Sequence, residues 1–246
     1  MKISFAAIAL CMAPVIGFAA DLPDRKAASA PGQAPALTTW TGAYAGLNAG
    51  WGFGTVKDPY VTPVVGSIKT SGVLGGMQLG YNHQVGGFVF GVEADYAMAN
   101  MKGDVSGSIN GAAVGNYRIS GSASASSTLE SFGTVRARAG VTMDSALFYA
   151  TGGYAYGRNK IKATGAGTYT IGGVTKSLSD AGSDSKTMNG WALGAGVEYA
   201  ITSKLTGKLE YIYADLGKAT VFRGGWAETQ VSNKVNIIRA GVNYRF

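Results

Sequence analysis

From Trp40 onward the chain runs through eight segments whose residue types alternate with a period of two, and the charged residues inside them all fall on one phase. A period of two is the spacing of a β-strand, in which successive side chains point to opposite faces. The third segment sets Phe88, Phe90, Val92 and Tyr96 against Glu93 and Asp95. The fourth sets Leu129, Val135, Ala137 and Val141 against Glu130, Arg136 and Arg138. Glu198 follows in the sixth, Lys208 and Glu210 in the seventh, and Arg239 and Arg245 in the eighth, each opposite aliphatic and aromatic neighbours. Strands of this kind suit a closed sheet with a polar inside and an apolar outside, because a Lys or Arg facing lipid at mid-depth costs about 2–4 kcal/mol.

Composition supports that inversion. Charged residues make up 14% of the chain and glycines number 38, yet beyond the N-terminal segment no apolar run is long enough for a membrane-crossing helix. The expected fold is therefore all-β, an eight-stranded antiparallel up-and-down transmembrane barrel over residues 40–246. A soluble lipocalin-like carrier is the alternative with its faces exchanged, the aliphatic residues lining a cavity. The fifth segment, Ala146 to Gly157, leaves its phase open, since Phe148 and Tyr149 lie on opposite faces.

Connections alternate in length. Short turns are expected at His83–Gly87, Thr142–Ser145 and Ile201–Lys204, and long loops at Gly54–Gly72, Ala99–Ser127, Arg158–Thr187 and Gly217–Gln230. Outer-membrane barrels show this asymmetry, with short periplasmic turns, so both chain ends belong on the periplasmic side. Two of the long loops still alternate around Asn110–Gly111 and Gly172–Gly173, where hairpins should extend beyond the membrane. Trp40, Trp51, Phe53, Tyr81, Phe88, Tyr96, Tyr199, Tyr213 and Tyr244, near the strand ends, are expected to form two interfacial girdles.

Residues 1–19 read as a secretory signal, with Lys2 ahead of an apolar run and small residues at Gly17 and Ala19. The only cysteine, Cys11, lies inside it, so the mature chain would fold without disulfides. Residues 20–39, rich in Ala and Pro, read as a flexible periplasmic linker that could touch peptidoglycan.

The charges of one phase predict an internal network of Glu93, Asp95, Glu130, Arg136, Arg138, Glu198, Lys208, Glu210 and Arg239, joined by Arg245. Such a plug would mostly close a barrel whose interior is only wide enough for side chains. No catalytic set or metal site is expected, because the lone histidine, His83, falls in a short turn; no cofactor is expected either. The formal charge of +7 lacks the interleaved aromatics of a nucleic-acid groove. The excess is concentrated in the long loops, in Lys57, Lys102, Arg158, Lys160, Lys162, Lys176 and Arg223, which could hold the phosphates of lipopolysaccharide.

Several motifs, Trp40-Thr41-Gly42-Ala43-Tyr44, Gly91-Val92-Glu93-Ala94-Asp95-Tyr96, Val135-Arg136-Ala137-Arg138-Ala139-Gly140 and Arg239-Ala240-Gly241-Val242-Asn243-Tyr244-Arg245-Phe246, together resemble the alphaproteobacterial outer-membrane β-barrel family of surface immunogens and small porins, similar in architecture to the OmpA-like transmembrane barrel. The resemblance implies a Gram-negative outer-membrane location and a structural or surface role rather than an enzyme. A narrow porin for small hydrophilic solutes and a haemin-binding surface protein are the alternatives it carries. Haemin would have only Tyr60, Tyr117, Tyr169 and Met101 to draw on in the loops. Tyr244 and Phe246 resemble the terminal signal by which the barrel-assembly machinery takes its clients.

Overall fold

The computed structural model describes residues 39–57, 67–114, 117–221 and 229–246; the signal and linker segments, Tyr60 and Arg223 lie outside them, apart from Thr39. Eight strands, β1 (Gly42–Lys57), β2 (Ile68–Val85), β3 (Phe88–Val114), β4 (Tyr117–Met143), β5 (Ala146–Ile171), β6 (Val174–Ala200), β7 (Leu205–Val221) and β8 (Thr229–Arg245), follow one another in chain order. Each pairs antiparallel with its neighbours, and β1 closes on β8. At one end the turns are tight. Gly86, at φ 60°, joins β2 to β3, and Asp144, at φ 51°, joins β4 to β5; Asp is among the few side chains that tolerate this conformation. His83 is part of β2, opposite Phe90, rather than part of the turn.

At the other end β3–β4 and β5–β6 continue as long paired hairpins. The β5–β6 hairpin turns at Gly172–Gly173, with φ of 54° and 84° and Ile171 opposite Val174, the two left-handed residues that a tight hairpin needs. Asn110–Gly111 does not turn. It sits in a bulge between Ile109 and Ala112, with Gly111 at φ 61°, and pairing continues to Val114 opposite Tyr117.

The alternation sorts the faces. Leu47, Phe90, Val92, Val135, Leu193, Leu209 and Val242 are exposed outward, while Asn48, Gln78, Glu93, Arg136 and Arg239 are buried inward. In β5 the inward set is Leu147, Tyr149, Thr151 and Ala155, and Phe148 and Tyr154 point out. A bulge in β4 interrupts the pattern, since Leu129 pairs with Asn159 but Ser131 with Arg158, leaving Glu130 without an opposite. The extra residue reverses the phase. Leu129 turns inward, 2% exposed, and Glu130 turns outward.

The interior is not polar throughout. Met101, Leu129, Phe132, Ile212, Leu216 and Ile237, with smaller neighbours, form a contiguous apolar cluster on the hairpin side. A second group, Trp40, Val89, Leu147 and Tyr149, fills the short-turn end. Trp40 is therefore no girdle residue. Its ring is buried under the Arg245 guanidinium, 5.1 Å from the centroid, and its backbone N–H donates to Gln84 Oε1 at 2.7 Å. Met101 likewise belongs to the core and not to a loop.

Candidate functional site: the lumen belt and the outer rim

Between the two apolar groups lies a belt of paired charges drawn from five strands. Register brings Glu93 of β3 opposite Arg136 of β4, and Glu210 of β7 opposite Arg239 of β8. Arg136 then spans the lumen. Its Nη1 donates to Glu210 Oε1 at 2.8 Å and its Nη2 to Glu93 Oε1 at 2.9 Å. Lys208 Nζ donates to both oxygens of Glu93 at 2.9 Å. Arg239 donates from Nε to Glu210 Oε2 at 2.8 Å and from Nη1 to Asp95 Oδ1 at 3.0 Å. All six side chains are at most 1% exposed. Three carboxylates meet three cations, so the charges are compensated where water is excluded.

Arg138 lies apart from this group. It faces Gly91 in the register, not Asp95, and pairs across the lumen with Glu198. The Tyr44 hydroxyl joins the two sets, donating to Glu93 Oε2 at 2.8 Å and accepting from Arg138 Nη1 at 3.3 Å. Asn243 Nδ2 also donates to Glu198, at 2.8 Å. Glycines make room for the large groups. A Cβ on Gly80 would stand 2.5 Å from the Tyr44 ring, and one on Gly194 would stand 3.1 Å from Arg136 Nη1. Glu130 has no part in the belt, because the bulge sends it outside, where it meets Arg158 at 3.5 Å. The polar phase of the sequence points to the belt, but Tyr44, Gln78 and Asn243 carry no charge to mark them.

The outer face changes character along a single strand. Going up β5 toward the hairpin end, its outward residues are Phe148, Ala150, Gly152, Tyr154, Tyr156, Arg158, Lys160, Lys162 and Thr164. Successive members stand about 6.7 Å apart. Hydrocarbon gives way to aromatic rings, then to cations, then to hydroxyls. The aromatic level continues around the barrel through Trp191 and Tyr213, whose ring centroids are 5.5 Å apart. Lys102 of β3 falls on the cationic level, since it pairs with Thr128, which pairs with Lys160, two strand spacings or about 10 Å away. Lys176 does not join this row. It lies near the hairpin tip, opposite Tyr169 and seven residues beyond the level of Lys162. Lys57 ends β1, opposite Ser232.

The profile of the outer membrane protein beta-barrel domain family matches residues 27–246. The chain belongs to this family. Members are outer-membrane barrels, and the inverted faces above are the form that such a membrane imposes. A 31 kDa outer-membrane immunogenic protein of Brucella melitensis is 39% identical over 232 residues, 89% of either chain. A 22 kDa outer membrane protein of Rhizobium leguminosarum bv. viciae is 34% identical over 146 residues, covering 59% of this chain and 54% of that one. Among solved structures, the outer membrane protein OprG of Pseudomonas aeruginosa is similar at 15% identity and a TM-score of 0.42, over 84% of this chain and 96% of that one. With the location fixed, the short-turn end is periplasmic and the two long hairpins rise from the outer leaflet.

Proposed function

We propose that the protein is a membrane-anchored surface barrel with a closed lumen, whose basic outer rim holds the phosphates of lipopolysaccharide. The observation that carries this reading is the cationic level of Lys102, Arg158, Lys160 and Lys162. It stands directly above the aromatic level, at the height where lipid phosphates lie, and its side chains point toward lipid rather than into the lumen. Cations at that depth attract anionic headgroups by about 1 kcal/mol each. Charge reversal at Arg158, Lys160 and Lys162 should lower the amount of lipopolysaccharide that co-purifies and raise sensitivity to detergent. Unchanged values for both would sink the idea.

The closed lumen is supported by the belt together with the apolar cluster above it. Two layers would have to part for a hydrophilic solute to pass, and in the upper one the polar side chains that accompany the apolar cluster, such as Ser127 and Asn159, are themselves buried and bonded to each other. Tyr244 and Phe246 stand outward on the periplasmic end of β8, ring centroids 5.3 Å apart. Exposed there, they suit recognition by the barrel-assembly machinery.

A further inference from the structure

Above the cationic level the outer face of β3–β6 is a field of hydroxyls. Register aligns Ser106, Ser124 and Thr164 in one row across β3, β4 and β5, and Ser108 with Ser122 in the next. Ser124 Oγ and Thr164 Oγ1 are hydrogen-bonded at 2.6 Å, which places both on the same face. A groove of 740 Å³ runs over these five side chains. A second, of 340 Å³, shares Ser106, Ser124 and Thr164 with it and reaches down to Asp104, Ser126 and Lys162. The upper volume is that of a small-molecule site, commonly about 300–1,000 Å³. Apart from Val105, the residues lining the two are Ser, Thr, Gly, Ala, Asp and Lys. No aromatic or large aliphatic anchor is available for a protein partner. Small hydroxyl side chains between bare backbone strands instead offer donors and acceptors at close spacing, the complement of a sugar's hydroxyls.

We infer that this groove is a subsite for the inner-core sugars of lipopolysaccharide, continuous with the phosphate-holding level beneath it. The inference rests on the phosphate reading given above and extends it. Lys162 belongs to both levels, so a glycolipid whose phosphate is held there would carry its next sugars over Ser126, Ser124 and Thr164. A lipid lacking those sugars would fill the lower level only.

The test compares two probes on the full chain refolded in micelles: purified lipid A, and rough lipopolysaccharide that carries a complete core. Binding is read by competition against a fluorescent lipid A. The core-bearing glycolipid should bind about tenfold more tightly than lipid A. The double variant Ser124→Leu/Thr164→Leu, which fills the groove from outside the membrane, should lose that preference while keeping its affinity for lipid A. The smaller pair Ser124→Ala/Thr164→Ala should lose part of it, which provides a second measure if the bulky pair fails to fold. Equal binding of the two probes by the unaltered protein would overturn the subsite and leave the phosphate reading standing. Retention of the preference in both variants would overturn it as well. Competition by lipid-free core oligosaccharide as strong as that by the intact glycolipid would overturn the assignment to a membrane lipid. Lys160→Glu/Lys162→Glu should weaken both probes, and no effect of that change on lipid A would defeat the phosphate reading itself.

Discussion

Glu93 is the side chain on which the lumen depends most. It accepts hydrogen bonds from Arg136, Lys208, Arg239 and Tyr44, so its loss would leave three buried cations short of a counter-charge. Removing one partner of a buried pair typically costs about 3–5 kcal/mol, because the remaining charge is desolvated without compensation. Glu93→Ala should therefore lower the denaturant midpoint at which the heat-modifiable gel form disappears. Glu130→Ala should cost less than about 1 kcal/mol and move that midpoint much less, since its pair with Arg158 is exposed to water. Equal effects of the two would contradict the placement of Glu130 outside the belt. Both residues look alike in sequence, each an acid on the polar phase of its strand. The difference is one of register, and nothing in the side chains themselves records it.

At the scale of the strand, that register is set by the β4 bulge. The pattern Leu129, Glu130, Ser131, Phe132 continues the alternation in either phase, because Ser suits both environments. Periodicity alone therefore carries Leu129 onto the outer face, where the bulge denies it a place. Cysteine labelling separates the two arrangements in a background lacking Cys11. Glu130→Cys should react with a membrane-impermeant maleimide on folded protein, and Leu129→Cys should stay protected until the barrel is unfolded. The reverse order of reactivity would mean that the bulge is not where the register places it. The extended hairpins allow a second test. Beyond Ala163 opposite Gly182, the β5–β6 hairpin adds no side chain to the apolar lumen cluster. Replacing everything between these two residues with an Asn-Gly turn should leave the heat-modifiable shift and its midpoint unchanged, and a lowered midpoint would show that the upper hairpin braces the barrel.

For the whole molecule, the strand number, the asymmetry of the connections and most outward faces were legible in the sequence, because lipid enforces the alternation along the membrane-facing stretches; the phase of the fifth strand and the side taken by Leu129 and Glu130 were not. The interior was legible only where it is charged. Ile212 and Ile237 share a phase with Glu210 and Arg239, yet by residue type alone they suit lipid as well as lumen. The cross-lumen partners, such as Arg239 of β8 with Asp95 of β3, depend on how the closed ring brings distant strands face to face, which no local pattern encodes. The layered interior also makes the transport reading testable. Pure protein in a planar bilayer should give no steady conductance, and reproducible channels from the unaltered chain would show that the apolar layer and the belt part readily.

The belt has a further consequence for how the barrel is completed. Its charges come from β3, β4, β6, β7 and β8, and Arg239, on the last strand, pairs with both Asp95 and Glu210, as Arg136 of β4 also does. A nascent sheet that has not yet received β8 holds three carboxylates, Glu93, Asp95 and Glu210, against two cations, Arg136 and Lys208, with an open seam beside them. Adding β8 to β7 pairs Arg239 with Glu210, but Asp95 of β3 is reached only when the ring closes. Closure should accordingly be cooperative, with partly assembled sheets sparsely populated, and the penalty of an unfinished barrel is written in the charges that its final strand must neutralise.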